Sequence, residues 1–150
     1  MISINNPILY NIWKDRYCKN EESIEGNLHR VAHYLANNEE EEKEFFDVMA
    51  NGYFFPAGRT MSNAGVGRDL TLNNCFILPA IKDDLGSIFD AVKLNAITHQ
   101  KGGGCGTAYS NLRPNGIPTA NEAFASGPVS FMDVFNAQTA TILQSGRRGM

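Results

Sequence analysis

Apolar residues recur at intervals of three and four in the first third of the chain, which indicates helices. A first helix is predicted to start at Pro7, because proline suits the first turn. A second follows at residues 24–35, and a third begins after Asn38, where four glutamates suit the positive end of the helix dipole. The apolar residues expected inside this third helix are Phe45, Val48 and Met49. Residues 1–52 are therefore predicted to form a helical amino-terminal domain.

The pattern changes after residue 52. Residues 54–65, FFPAGRTMSNAG, are rich in turn-forming residues and predict a loop. The run NNCFILP (residues 73–79) predicts a short buried strand, and residues 87–99 have the apolar spacing of a helix. The glycine run KGGGCG (residues 101–106) predicts a loop. The following TAYSNLRP (residues 107–114) predicts a strand or an extended segment.

A last helix is predicted to open at Pro128 with Gly127 as its cap, and to end at residues 144–146, within the Gly/Arg-rich loop sequence QSGRRGM. Its expected interior residues are Val129, Met132, Phe135, Ala140 and Leu143. A helical cap followed by alternating short strands and helices predicts an α/β fold, in which residues 53–150 open an incomplete barrel.

Composition narrows the class of protein. The chain has 150 residues, 43% of them hydrophobic and 19% charged, with a formal net charge of -3. That balance argues against a broad nucleic-acid or membrane-surface binder. No apolar run approaches the roughly 20 residues that a membrane helix needs. The three cysteines, Cys18, Cys75 and Cys105, are far apart and form no disulfide or zinc motif, so a reducing cytoplasm fits best.

Single motifs leave alternatives open. Cys75 is either a buried core thiol or a reactive one. The glycines of residues 101–106 form either a phosphate cradle or an ordinary turn, and the arginines of residues 146–149 either bind anions or are solvated. His29 and His33 have the spacing of a metal pair on a helix, but no third ligand is evident. We therefore expect no metal site.

The order of the motifs is more informative. Four runs resemble, in family order, the first part of the ribonucleotide reductase catalytic barrel: NNCFILPAIKDDLGSIFDAV, HQKGGGCGTAYSNLRPNG, NEAFASGPVSFMDVFNAQT and QSGRRGM. FFPAGRTMSNAG is similar to the segment that leads into it, and residues 1–50 resemble the family's helical amino-terminal domain. GGGCG and SNLRP are more similar to the adenosylcobalamin-dependent class II form than to class I, which needs a separate radical-generating subunit.

The resemblance implies roles for particular positions. Cys75 matches a catalytic cysteine that delivers a hydrogen atom to the substrate ribose and then pairs with a second cysteine, expected beyond residue 150. The implied substrate-binding positions are Thr60, Asn74, Gly104, Arg147 and Arg148. The implied effector-binding positions are Asp83, Asp84, Leu85, Arg113, Thr119 and Ala120. Among these, Asp83 is expected to hold the effector ribose, Arg113 to face its phosphate, and Arg147 or Arg148 to contact the substrate base.

The complete enzyme would reduce ribonucleoside di- or triphosphates by radical chemistry started by adenosylcobalamin. Its expected partners are a deoxynucleoside triphosphate effector, the remainder of the reductase or a split partner chain, a thioredoxin-like reductant and a second copy of the chain, with no membrane. Because the chain ends within a loop sequence, we expect an amino-terminal fragment. The resemblance implies that the family's radical-bearing cysteine and its nearby carboxylate lie further along the chain, so this fragment is expected to be inactive alone. The alternatives are a non-catalytic nucleotide-binding or regulatory module and a fragment of a class I large subunit.

Overall fold

The computed structural model of the protein describes residues 6–20, 23–120, 122–144 and 147–148, with side chains as far as residue 142. The chain divides into two compact units, Met1–Asn74 and Cys75–Met150. The domain boundary expected after residue 52 stays a prediction. No helix among the described residues combines the length and the hydropathy that a membrane-spanning segment requires.

The described part of the first unit is helical. Its elements are α1 (Pro7–Arg16), α2 (Ile24–Leu35), α3 (Glu39–Ala50) and α4 (Gly58–Asn63). The side chains of Asn6, Ser23 and Asn38 each accept a hydrogen bond from a backbone amide in the first turn of α1, α2 and α3. Such caps satisfy amides that have no partner inside the helix. They fix the starts of the three helices that the sequence predicts.

The core of this unit lies between α2, α3 and α4. Its buried apolar residues are Leu28, Val31, Ala32, Met49, Ala50 and Ala64. The expected burial of Phe45 and Val48 is wrong, because they are 38% and 37% exposed. Met49 is 3% exposed, so its predicted burial is confirmed, and Ala50 and Phe46 complete the inward face of α3. The Phe46 ring stacks on His29 with centroids 3.9 Å apart.

Helix α4 lies within residues 54–65, which the sequence predicts to be a loop, so that prediction is wrong for Gly58–Asn63. No side chain caps the start of α4. Intrinsic propensity is a weak determinant of short helices, and tertiary contacts override it. Hydrogen bonds from Arg30 of α2 to the carbonyl oxygens of Met61 and Ala64 stabilise this helix.

The second unit begins with a strand, a helix and a second strand. Its elements are β1 (Cys75–Ile77), α5 (Leu85–Gln100), β2 (Gly104–Gly106), α6 (Gly127–Thr141), β3 (Leu143–Gln144) and β4 (Arg147–Arg148). Strands β1 and β2 pair in parallel, with Cys75 opposite Gly104 and Phe76 opposite Cys105, while β3 and β4 pair antiparallel. A helical region followed by a short parallel sheet connected through a helix confirms the predicted fold class.

Two features of the strands differ from the expectation. Strand β2 lies in the glycine run that predicted a loop, whereas residues 107–114 contain no strand. The expected burial of β1 is wrong, because Cys75 is exposed and Ile77 is 94% exposed. Side chains alternate along a strand, and only Phe76 of β1 turns toward α5. Residues 143–144 and 147–148 pair as antiparallel strands, where the sequence predicts the end of a helix and a loop.

Helices α5 and α6 enclose the core of the second unit. The buried residues are Ile81, Ile88, Ala91, Leu112 and Phe135, and the Phe135 ring meets Tyr109 edge-on with centroids 5.4 Å apart. Phe135 is buried as predicted, but Val129 and Met132 are 70% and 43% exposed and Ala140 is exposed, so those predictions are wrong. The inward stripe of α6 runs through Phe131 and Phe135 instead. The side chain of Leu143 lies outside the described residues.

Candidate functional site

The β1–β2 pair presents Cys75 and Gly104 together. Paired residues of parallel strands point to the same side of a sheet, so Cys75 and Gly104 share one face, and Phe76 and Cys105 share the other. Cys75 is exposed and not in a disulfide. Gly104 has no side chain, so it leaves space beside the thiol. The predicted catalytic cysteine therefore adjoins one of the predicted substrate positions on an open face.

The opposite face of the same pair is closed against α5. A Cβ on Gly103 would lie 2.7 Å from Cε2 of Phe76 and 2.8 Å from Cγ2 of Thr98. Cys105 is half-buried there and hydrogen-bonds to the Thr98 side chain, while burial raises the pKa of its thiol. A raised pKa lowers the thiolate fraction and with it the reactivity. The two cysteines are therefore in different chemical surroundings although they lie on neighbouring strands.

In the first unit, helix α4 is hydrogen-bonded to the irregular segment 71–74, which leads into β1. The Thr60 hydroxyl donates to the Leu72 carbonyl oxygen at 3.1 Å. The Arg59 amide donates to Oδ1 of Asn74 at 3.3 Å. The structure thus brings two predicted substrate positions, Thr60 and Asn74, into one hydrogen-bonded substructure.

Asn63 belongs to the same substructure, although sequence analysis did not select it. Its side chain is 6% exposed, and its Nδ2 donates to the Thr71 carbonyl oxygen at 2.7 Å. Nothing in the sequence distinguishes this residue from the other turn-forming residues around it. Only its burial and its hydrogen bond to Thr71 show that Asn63 attaches α4 to residues 71–74.

The predicted effector residues line one cavity of about 560 Å³ in the second unit. All six contribute to it: Asp83, Asp84, Leu85, Arg113, Thr119 and Ala120. Aromatic walls come from Phe124 and Phe131, and the start of α6 closes one side. A cavity of this size with few polar groups among apolar walls is typical of small-molecule sites. The residues come from three separated parts of the sequence.

Asp83 and Arg113 form an ion pair at this cavity. Arg113 Nε lies 2.5 Å from Oδ2 of Asp83, the Arg113 amide donates to Oδ1 at 3.2 Å, and Nη2 reaches the Asp83 carbonyl oxygen at 3.4 Å. Hydrogen bonding from Arg113 lowers the pKa of Asp83, so its carboxylate is charged at neutral pH. A ligand hydroxyl that bound Asp83 would therefore hydrogen-bond to carboxylate oxygens that already accept from Arg113.

The neighbouring residues shape the cavity. Asp84 caps α5, because its Oδ1 accepts a hydrogen bond from the Ser87 amide at 2.8 Å. Backbone hydrogen bonds between residues 116–119 and 123–125 form a narrow loop whose outer end carries Thr119 and Ala120. This loop holds both residues at the cavity.

The remaining predicted positions are less defined. Gln144 and Arg147 pair through their backbones, but the side chains of Arg147 and Arg148 lie outside the described residues. No group of histidine, cysteine and carboxylate side chains within the described ranges is arranged to hold a metal ion. His33 is exposed and its Nδ1 lies 2.8 Å from Glu42 Oε2.

Comparisons with known proteins cover both units. The profile described as "Ribonucleotide reductase, barrel domain" matches residues 73–150, and the "Ribonucleotide reductase, all-alpha domain" profile matches residues 5–69. A vitamin B12-dependent ribonucleoside-diphosphate reductase of Thermoplasma acidophilum is 35% identical over 137 residues, which are 88% of this chain and 18% of that protein. The reductase of the same name from Mycobacterium tuberculosis (strain CDC 1551 / Oshkosh) is 38% identical over 71% of this chain and 15% of its own length.

The solved alpha subunit of the Actinobacillus ureae class Id ribonucleotide reductase has the same fold, with a TM-score of 0.77 at 22% identity over 91% of this chain and 26% of that chain. A barrel start preceded by an all-helical region defines the large-subunit class of reductases. The chain belongs to the ribonucleotide reductase family. It spans less than a fifth of the length of either of the B12-dependent relatives named above.

Proposed function

We propose that this chain forms the amino-terminal part of a ribonucleotide reductase that makes deoxyribonucleotides, with Cys75 as a catalytic thiol. The observation that carries the proposal is the exposed Cys75 thiol on the face that it shares with Gly104, away from α5. An exposed thiol beside a glycine is accessible both to a nucleotide and to a protein reductant. We assign four further positions to substrate binding, namely Thr60, Asn74, Arg147 and Arg148.

The reaction replaces a hydroxyl group by hydrogen. The C2′–O bond of the ribose breaks, the oxygen leaves as water, and a C2′–H bond forms. Two thiols supply the two electrons and become a disulfide, with Cys75 as one of them and a cysteine outside these 150 residues as the other. A thioredoxin-like reductant then restores both thiols. The substrate proposed is a ribonucleoside diphosphate, since the two B12-dependent relatives are named as diphosphate reductases.

The cavity around Asp83 and Arg113 is proposed to bind a deoxynucleoside triphosphate effector. The guanidinium of Arg113 can pair with phosphate oxygens, and the Asp83 carboxylate can accept from a ribose hydroxyl. The apolar walls suit a base. A second copy of the chain is the proposed partner at this site.

Adenosylcobalamin is the proposed cofactor, because two relatives are named as vitamin B12-dependent and adenosylcobalamin is the form of that vitamin that generates radicals. When bound, it supplies the radical that starts the reaction. We assign the binding of this cofactor mainly to parts of the enzyme outside these 150 residues, and we place the enzyme in the cytoplasm.

The test is deoxyribonucleotide formation by a reductase that contains this chain, with adenosylcobalamin and a dithiol. We expect formation of a deoxyribonucleoside diphosphate that needs both additions. A reductase active without adenosylcobalamin, but with a radical-generating subunit, would support the class I alternative. Effector binding with no product under either condition would favour the regulatory module instead.

A further inference from the structure

Arg30, on α2, binds the main chain of two other helical segments. Its Nη2 donates to the Met61 carbonyl oxygen at 3.1 Å and approaches that of Tyr17 at 3.4 Å. Its Nη1 donates to the carbonyl oxygen of Ala64, the C-cap of α4. Carbonyl groups at the end of a helix have no partner inside it, so a guanidinium there supplies missing hydrogen bonds. Arg30 therefore binds the carboxyl end of α4.

Asn27 reinforces these contacts from one turn earlier in α2. It is fully buried, and its Nδ2 lies 3.4 Å and 3.5 Å from the carbonyl oxygens of Tyr17 and Met61. Its Oδ1 lies 3.4 Å from the indole nitrogen of Trp13, which is also buried. Buried polar groups are stable only when they are hydrogen-bonded, so this network has a defined geometry.

Gly65 completes the attachment. Its φ of +70° is a conformation that residues with a Cβ rarely adopt, and a Cβ there would lie 3.0 Å from Cγ of Arg30. The turn that follows α4 thus passes directly over the Arg30 side chain. A glycine is required both by the backbone conformation and by this close approach.

The same helix holds the segment that leads into Cys75. Thr60 and Asn63 donate to main-chain carbonyl oxygens of residues 71–74, and the Arg59 amide donates to Asn74. A displacement of α4 would therefore displace this segment with it. Arg30 acts on one end of α4, and the segment is bound along the same six-residue helix.

We infer that Arg30 is a positioning residue that fixes Thr60 and Asn74 for nucleotide binding. This inference rests on the proposed function, because the two positions are assigned to the substrate there. A guanidinium can donate to several carbonyl oxygens at once in a fixed plane, whereas an ammonium group is a point donor. The arginine is needed for its shape as well as its charge.

The test compares Arg30→Lys and Arg30→Gln with the wild type in a reductase that contains this chain. We expect KM for the ribonucleoside diphosphate to rise about tenfold in Arg30→Gln and less in Arg30→Lys, with kcat changed by about twofold at most. Gly65→Ala should act in the same direction from the other side of the contact. The matched control is Arg16→Gln, which removes an exposed arginine of α1 and should leave KM unchanged.

A second measurement does not need activity. Hydrogen exchange of the Arg59 amide, which is bonded to Asn74, reports whether α4 still holds the segment. We expect faster exchange in Arg30→Gln and Gly65→Ala than in the wild type and Arg16→Gln. Arg30→Lys, which retains the charge, covers the case in which Arg30→Gln does not fold.

The outcomes separate the two proposals. If the wild-type enzyme reduced no ribonucleotide, the proposed function would fail, while the exchange measurement would still test the link from Arg30 to residues 71–74. If the wild type were active and the folded Arg30 variants kept the normal KM and normal Arg59 exchange, Arg30 would be a structural arginine only, and this inference would be overturned.

Discussion

Two arginines, one in each unit, make opposite kinds of contact. Arg30 is half-buried and donates to main-chain carbonyl oxygens of three residues. The Arg113 side chain is 39% exposed and pairs with the Asp83 carboxylate. Main-chain carbonyls at a helix end remain in place as long as the helix does, whereas an exposed ion pair is weak and its members can exchange partners. Arg30 is therefore suited to hold a structure, and Arg113 to respond to a ligand.

The largest expected effect concerns the chemistry itself. Cys75→Ser should abolish turnover, because a hydroxyl neither transfers hydrogen readily nor forms a disulfide. Cys105→Ser should keep most of the activity, since that side chain turns toward α5 on the other face of the sheet. Steady-state assays of both variants, with circular dichroism to confirm folding, provide the measurement. Equal activities of Cys75→Ser and Cys105→Ser would contradict the assignment of different roles to the two faces of the β1–β2 pair.

Arg113→Ala should weaken deoxynucleoside triphosphate binding by about 1.5–3 kcal/mol, the scale of a charged hydrogen bond, or roughly 10- to 150-fold. Its effect on Tm should be small because the Asp83 pair is exposed. Arg30→Gln should show the reverse, with lower Tm and nearly unchanged effector affinity. Equilibrium dialysis and thermal unfolding of both variants test the contrast, with exposed Arg68→Ala as the control. Similar profiles for the two arginines would contradict it.

Alanine variants of two glycines, Gly116 and Gly127, distinguish the cost of steric overlap from the cost of backbone strain. Gly116 and Gly127 have φ values of +84° and +80°, but only at Gly127 would a Cβ meet backbone, 2.8 Å from the Asn115 nitrogen. Both alanine variants should lose about 1–3 kcal/mol of unfolding free energy to strain, and Gly127→Ala should lose more. Because Gly127 lines the cavity, its variant should also bind effector less tightly. Urea unfolding of both variants gives their unfolding free energies. If Gly116→Ala were less stable than Gly127→Ala, the prediction would be contradicted.

The smallest expected effect is a dependence on pH. His99 is 3% exposed and burial lowers its pKa below the ordinary value of about 6.5, so the folded chain binds fewer protons than the unfolded chain below that pH. Stability should therefore decline as pH falls from about 7 to about 5. Urea unfolding of wild type and His99→Gln at several pH values should give a shallower slope for the variant. If the unfolding free energies of wild type and His99→Gln changed with pH at the same rate, the loss of stability would come from groups other than His99.

Local signals explain what the sequence predicts well. The starts of α1, α2 and α3 depend on a capping side chain or a proline within two residues, so they are visible in the sequence. Burial is not local. Phe45 and Val129 have apolar side chains at helical spacing, yet both are exposed, because the neighbouring elements decide which face of a helix is covered.

Strand β2 and helix α4 show the same dependence on partners. Glycines of residues 104–106 have weak strand propensity, and pairing with β1 gives them their conformation. Helix α4 depends on contacts with Arg30, more than thirty residues earlier.

The candidate site was predictable only through the resemblance. Asp83 and Arg113 are thirty residues apart, and neither spacing nor composition indicates that they meet. The resemblance selected six residues that line one cavity, and it selected Cys75 on an open face. It did not select Arg30 or Asn63, whose roles depend on main-chain partners that only the fold brings near.

One measurement tests the central claim about Cys75 most directly. A pre-reduced reductase containing this chain is mixed with ribonucleoside diphosphate and adenosylcobalamin without any external dithiol, and the deoxyribonucleotide is counted per chain. If Cys75 is one of the two thiols that supply the electrons, wild type and Cys105→Ser should form a stoichiometric amount and then stop, while Cys75→Ser forms none. A full burst of product from Cys75→Ser would contradict the account.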